Sequence, residues 1–274
     1  MSKTLHEVLY EVFEKVLYFL YYLSKDEKQK TLFNMKIINL IKRFPKKRDT
    51  LPKPLKKIFK VHYLNNRQNF FSQLSEKWLH LSIDDRKKKN KTLEIGAGTL
   101  NHLEYEIKKP YDIIEPKRFL INKSIYKKKI QKFFRNINQT KAKEYDRIIS
   151  CAVLEHITDL PEYLCISSLK MKKNGYQQHS IPCEGYPMWD IAWYLFNGIS
   201  FKLKYGYSFK YIQKHEHVNN FDEIISLIRF FYKNVKVKFS YPFFNKYLSF
   251  YANIKFSNPN KINIKNYLQY KNNL

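Results

Sequence analysis

Residues 91–103, KTLEIGAGTLNHL, constrain the fold more than any other stretch of this chain. An apolar, strand-like run carrying one acid, Glu94, stops abruptly in Gly96-Ala97-Gly98. The 274 residues include only 6 glycines, so two of them here mark a place where the backbone must turn tightly or be approached closely. A helix expected to start near Thr99–Leu103 would present free N–H groups to whatever sits there.

The texture from residue 91 onward supports that reading. TLEIGAG, YDIIEP (111–116), KIQKFF (129–134), YDRIISCAV (145–153) and GYQQHSIPCEG (175–185) read as five strands separated by helical segments. This alternation predicts an α/β fold, a mostly parallel sheet with helices on both faces. NNFDEIISLIRFFYKN (219–234) follows as a helix, with Asn220 as N-cap and Glu223 at capping-box spacing. VKVKFSYPF and YLSFYANIKF read as two closing strands. Upstream, 1–43 reads as helices, with periodic Val8, Val12, Val16 and Leu20. The basic run 43–57, RFPKKRDTLPKPLKK, contains three prolines and reads as a loop or linker, and 58–82 as helical again. The expected organisation is an N-terminal helical region, 1–90, and an α/β domain, 91–274, interrupted at 186–219.

In an open α/β sheet, ligands bind beyond the carboxyl ends of the strands at the switch point. Glu115 ends the second strand 17 residues after Gly98, where an acid accepts both hydroxyls of a ribose. A dinucleotide fits less well. The third glycine of the G-x-G-x-x-G fingerprint is Asn101 here, and the Glu94 carboxylate repels a pyrophosphate while suiting an amino-bearing ligand.

LEIGAGTL, YDIIEP, YDRIISCAVLEHITDLPEYL and LKMKKNGYQQHSIPCEGYP, in that order and spacing, resemble the successive motifs of class I S-adenosylmethionine-dependent methyltransferases. LPKPLKKIFKVHYLNNR and YGYSFKYIQKHEHVN resemble more specifically a bacterial subgroup associated with capsule or lipopolysaccharide biosynthesis. The resemblance implies a Rossmann-like, mostly parallel seven-stranded sheet with an antiparallel closing strand, and S-adenosylmethionine as cofactor. It implies that Glu94, Gly96, Ala97 and Gly98 hold the methionine moiety and Glu115 the ribose. Asn136 falls where the family often has an adenine-contacting acid, and Cys151 and Ala152 where the methyl-donating end lies.

Methyl transfer to a hydroxyl requires a base. His156, in LEHITD just past strand four, is the first candidate; its alternative role is to cap and orient the next helix. His215 and His217, in KHEHVNN, are the next. They look like a metal pair, but one residue separates them and the sequence shows no third ligand nearby. Hydrogen bonding to substrate is expected of them, and no metal. Trp189, Trp193, Tyr205, Tyr207 and Tyr211 in the insertion suit stacking on a sugar ring or form a small core of their own. His62, Tyr63 and Arg67 either close over the site or lie on a surface helix. Trp189, Tyr207, His215 and Arg67 are the expected substrate contacts, and His156 and His217 the catalytic pair.

The net charge of +27 invites a polyanionic partner, although lysines spread along the chain as solvated faces give the same total. No recognisable RNA-binding module is present. Three cysteines, Cys151, Cys165 and Cys183, form no C-x-x-C pair and fit a reduced, cytoplasmic compartment. There is no signal-peptide pattern. The apolar run VLYFLYYL is far short of the ~20 residues that span a bilayer. The expectation is a cytoplasmic methyltransferase acting on a sugar hydroxyl of a small or lipid-linked saccharide. The 43–57 segment would meet a diphosphate or an anionic membrane surface. An RNA methyltransferase and a non-catalytic cofactor-binding scaffold are the rivals.

Overall fold

The computed structural model describes residues 35–66, 70–83, 90–106, 110–122, 124–239 and 245–273. The chain divides into two compact units, 1–43 and 44–274. In the first, residues 35–41 are helical. The helices at 53–82 belong to the second unit, with the sheet, so the division falls earlier than the expected boundary at 90.

The sheet has seven strands, β1 (Thr92–Ile95), β2 (Tyr111–Ile114), β3 (Lys132–Phe134), β4 (Tyr145–Cys151), β5 (Met171–Pro182), β6 (Tyr232–Phe239) and β7 (Tyr251–Pro259). Their order is β3-β2-β1-β4-β5-β7-β6. The first five run parallel, and β7 pairs antiparallel with both β5 and β6. The order reverses between β1 and β4, where Glu94 is in register with Ile149. β1 and β2 are buried throughout and β4 at most positions, with Leu93, Ile113, Ile148 and Ile149 at 0 % exposure. Such runs of apolar residues require cover on both faces.

Nine helices flank the sheet among the described residues of this unit. They are α1 (Lys53–Asn66), α2 (Phe70–Ser82), α3 (Arg118–Asn122), α4 (Leu160–Lys170), α5 (Pro187–Trp193), α6 (Ile199–Tyr205), α7 (Lys210–Glu216), α8 (Phe221–Phe231) and α9 (Lys261–Asn272). Adjacent residues of β5 show that the cover is two-sided. Gln177 bonds Ser167 of α4, while Gln178 bonds the carbonyl of Ser82 at the end of α2. Side chains alternate along a strand, so α2 and α4 lie on opposite faces.

Several boundaries differ from those expected. Helix α1 begins at Lys53, so only 44–52 of the proline-rich run is irregular; Pro54 is tolerated because it stands in the first turn. In place of an α-helix after β1, a short 3₁₀ turn covers Asn101–Glu104, because Leu100 before it is left-handed (φ 66°). Helix α8 stops at Phe231 and β6 starts at once, so the final YKN of the expected helix is strand. Helix α9 was not anticipated; the Asn260 cap and Tyr267, packed edge-on against Phe231, tie it down.

The insertion folds as α5, a π-helical turn at Tyr194–Gly198, α6 and α7. Its aromatics make a local core. Trp193 stacks on Phe209 at 4.2 Å, and Phe201, Phe209 and Ile212 bury Leu51 and Leu55 of the proline-rich run and α1.

The cap of α8 is formed as expected. Asn220 Oδ1 accepts from the Glu223 N–H (3.0 Å), and the Glu223 carboxylate accepts from the Asn220 N–H (3.2 Å). The helix then buries Phe221, Ile224, Ile225, Leu227, Ile228 and Phe231 on one face. Asn220→Ala is expected to destabilise the protein by about 1 kcal/mol, read from the denaturant midpoint; an unchanged midpoint would remove this cap from the account.

Candidate functional site

A cleft of about 240 Å³ opens at the carboxyl ends of β1 and β4. It brings together Glu94, Gly96, Ala97, Gly98, Cys151 and Ala152 from the two strands and the turns after them. Helix α2 adds Glu76 and His80 to the wall, and the loop after β4 adds His156. The backbone is specialised here. Gly96 (φ 65°) and Gly98 (φ 52°) are left-handed, and so is Ala152 (φ 51°), a non-glycine residue in a sparsely populated region. A Cβ on Gly96 would stand 2.7 Å from Val153 Cγ2. The turns after β1 and β4 therefore meet with no room for a side chain.

Glu94 is buried beneath this turn and accepts a hydrogen bond from the Tyr111 hydroxyl at 2.9 Å. Burial pushes its carboxyl up to about 8, against the lowering effect of Tyr111. An incoming cation reverses that cost. Glu115 ties the two strand ends together, Oε2 accepting from Gly98 N–H and Oε1 from Lys117 N–H, both at 2.8 Å. Among the described residues two of its four lone-pair sites remain for other donors, and it stands outside the cleft lining. Asn136 is exposed and outside the cleft lining; its side chain accepts from Asn138 N–H and forms a capping box with Gln139.

His156 and His217, distant in sequence, stand edge to face with ring centroids 4.8 Å apart. His156 Nδ1–H donates to the Glu216 carbonyl at 2.8 Å, which leaves Nε2 with its lone pair. Burial, with His217 beside it, lowers the His156 pKa, so the imidazole is neutral. His217 Nδ1–H donates to the Glu184 carboxylate at 2.5 Å. Burial alone would lower its pKa, but Glu184, with Glu155 and Glu216 behind it, outweighs burial and raises it. Glu155 is buried with Oε2 unpartnered among the described residues, and burial pushes it up to about 7.

Glu155, His156 and His217 each offer a ligand atom within 4.8 Å of the others, so the groups the sequence did not show beside His217 come from the turn after β4. His215 faces away. Its Nδ1 donates to the Asp49 carbonyl and its ring meets Phe59. Trp189 is buried edge-on against Tyr251 at 5.1 Å, and Tyr207 packs into the local core of the insertion. Neither lines the cleft. Arg67 lies outside the described residues, and the description of His62 and Tyr63 does not extend to their side chains.

Two cations of the basic run are committed to the loops around His156. Arg48 donates to the carbonyls of His156 (2.6 Å), His215 (2.9 Å) and Glu216 (2.8 Å). Lys46 donates to the Val218 carbonyl and to Glu223. Both work as internal ties in place of the expected contacts to phosphate or membrane. Sequence reasoning missed Glu76 and His80, because nothing local marks residues on a helix outside the α/β repeat as part of the site.

A family model described as a methyltransferase domain matches residues 63–231. No curated protein matches the chain. Among solved structures, an S-adenosylmethionine-dependent methyltransferase from Archaeoglobus fulgidus is similar over 71% of this chain and 99% of its own, at 15% identity and a TM-score of 0.51. The plantazolicin methyltransferase BpumL in complex with SAH is similar over 83% of this chain and 99% of its own, at 16% identity and a TM-score of 0.51. At these identities the similarity is one of fold.

Two measurements check this geometry. Gly96→Ala is expected to destabilise the protein by at least about 1–2 kcal/mol, from the left-handed backbone alone, and Val153→Ala added to it should recover only the part due to the clash. Full additivity of the two changes would show that the strand ends do not meet as described. The second is pH dependence. Glu94 binds its proton more tightly when folded, so its contribution is complete below about 4.5 and is lost as pH rises toward about 8. Glu94→Gln should flatten that part of the stability profile; an unchanged slope would place the titration elsewhere.

Proposed function

The chain belongs to the methyltransferase-domain family, and on that footing we propose that it methylates a saccharide hydroxyl, nucleotide-linked or lipid-linked, used in surface polysaccharide synthesis. S-adenosylmethionine is the methyl donor. The observation that carries the reading is the buried Glu94 carboxylate beneath a glycine turn at the β1–β4 switch point. The cleft residues fit this cofactor. An ammonium relieves the buried charge of Glu94, Gly96 and Gly98 leave the main chain open to close contact, and Glu115 has lone pairs to spare for ribose hydroxyls. The saccharide class is supported by the resemblance of residues 51–67 and 205–219 to the polysaccharide-associated subgroup.

When bound, S-adenosylmethionine supplies a methyl group on a sulfonium, already a good leaving group. The protein's work is to orient the acceptor, exclude water and remove one proton. His156 is the base. Its Nδ1–H is held by the Glu216 carbonyl, so the acceptor's proton goes to Nε2. His217, oriented by Glu184 and charge-paired with buried Glu155, packs edge-on against the ring and braces it. His217 acts as a positioning residue.

The net charge of +27 favours a second reading, an RNA acceptor. Salt-sensitive RNA binding with methyl incorporation into RNA would replace the saccharide.

Calorimetry should show saturable binding of S-adenosylmethionine and S-adenosylhomocysteine, lost in Gly96→Val and weakened in Glu115→Ala. With Glu94 protonated at neutral pH, binding should release a proton, seen as a dependence on buffer ionisation enthalpy that disappears in Glu94→Gln. No binding by folded wild type would overturn the cofactor assignment. His156→Ala should lower kcat by about 10²–10⁴-fold while leaving cofactor affinity intact; an unchanged kcat would assign the base elsewhere.

A further inference from the structure

A second group of side chains stands on the α2 side of the cleft and shares Cys151 with it. His80 comes from α2, His102 from the 3₁₀ turn after β1, and Cys151 from the end of β4. His80 Nδ1 lies 3.2 Å from His102 Nδ1 and 3.2 Å from Cys151 Sγ. All three atoms fall within 4.8 Å of one another. His102 is fully buried and His80 nearly so, while His80 and Cys151 reach the cleft wall.

The far nitrogens each have a carboxylate nearby. His102 Nε2 is 2.7 Å from Glu106, which is held in turn by the buried Arg147 at 2.6 Å. His80 Nε2 faces Glu76 at 3.7 Å, and Glu76 is fixed by the Asn101 side-chain amide at 2.6 Å. With His102 Nε2–H donated to Glu106, His102 Nδ1 carries a lone pair, and it points at His80 Nδ1. A cation satisfies all three atoms at once, and a carboxylate behind each imidazole is the arrangement that orients metal-bound histidines.

We propose that His80 Nδ1, His102 Nδ1 and Cys151 Sγ form a binding site for a divalent ion of the zinc class. Tetrahedral zinc with N and S ligands at ~2.05 and ~2.3 Å sets its ligand atoms roughly 3.3 Å (N···N) and 3.6 Å (N···S) apart. The observed 3.2 Å separations need shifts of only a few tenths of an ångström. Imidazole with thiolate selects zinc over magnesium or calcium. Binding displaces the Cys151 thiol proton to solvent, and the fourth position faces the cleft, where a water completes the shell. Three carboxylates, Glu76, Glu94 and Glu106, supply the surrounding negative field. The site does not depend on the identity of the methyl acceptor.

The test uses the full chain purified without chelators. Elemental mass spectrometry should find about one zinc per chain. Replacing it with cobalt(II) should give the intense near-ultraviolet thiolate charge-transfer band of a cobalt–sulfur bond. The band should vanish in Cys151→Ser and persist in Cys165→Ser, whose thiol is buried elsewhere. Glu106→Gln should weaken zinc by about 10–100-fold. Folded wild type that shows no such band, or a band that survives in Cys151→Ser, overturns the site. If Cys151→Ser fails to fold, a wild-type band that is removed by chelator and restored by cobalt still requires a thiolate ligand, and absence of the band in wild type still sinks the proposal. Absence of the band in folded wild type that still binds S-adenosylmethionine would overturn the metal site and leave the methyltransferase reading standing.

Discussion

The turns after β1 and β4 meet at Gly96 so closely that a Cβ would collide with Val153. Much else in the structure follows from that contact. The chain must leave β1 in a left-handed conformation, which delays and shortens the helix that would ordinarily follow. Main-chain groups instead of side chains then face the cleft, and the backbone of Ala152 is driven into a left-handed conformation on the opposite wall. Glu115 holds the same turn from the other side through Gly98 N–H. A loop gripped on both flanks keeps its shape without ligand, so binding costs little ordering entropy.

Buried charge is distributed with a purpose around this turn. Among the described residues a tyrosine hydroxyl is the hydrogen-bond partner of the Glu94 side chain, and burial raises its pKa. Arg147, fully buried, is balanced by Glu106 and by the carbonyl of Ile83. Taking either partner from that pair would leave an uncompensated charge, which typically costs about 3–5 kcal/mol. The difference between the two is instructive. A paired charge is scaffold, and a charge left to be paired by a ligand is a recognition element.

The basic character of the chain is also partly structural. Lys46 and Arg48 sit in a run that looks, by composition, like a contact for phosphate or membrane. They are instead spent on the carbonyls of the segments that carry His156 and His217. Arg48 reaches three carbonyls 108 to 168 positions away, which a loop cannot do unless both ends are already folded. The proline-rich run is therefore a strap for the site, and its Leu51 and Leu55 anchor the aromatic core of the insertion.

Part of the cleft was legible in the sequence because those residues lie at strand ends within the α/β repeat. Glu94, Gly96, Gly98 and Glu115 stand at strand ends that the alternation and the glycine turn mark, and the family resemblance supplied Cys151. The capping box of α8 was legible for the same reason, being local. Asn136 was not, because a polar residue after a short strand caps the next turn as readily as it faces a ligand. What only the tertiary structure decided is which distant side chains share a wall. His80 reaches Cys151 across 71 positions, and His217 meets His156 from another loop, by packing of α2 and the insertion. No periodicity encodes such meetings, because helix packing depends on the shapes of both surfaces. Sequence by itself determined the sheet, the turn and the acid beneath it; packing determined the histidines, whose imidazoles act only through the neighbours that the fold brings to them.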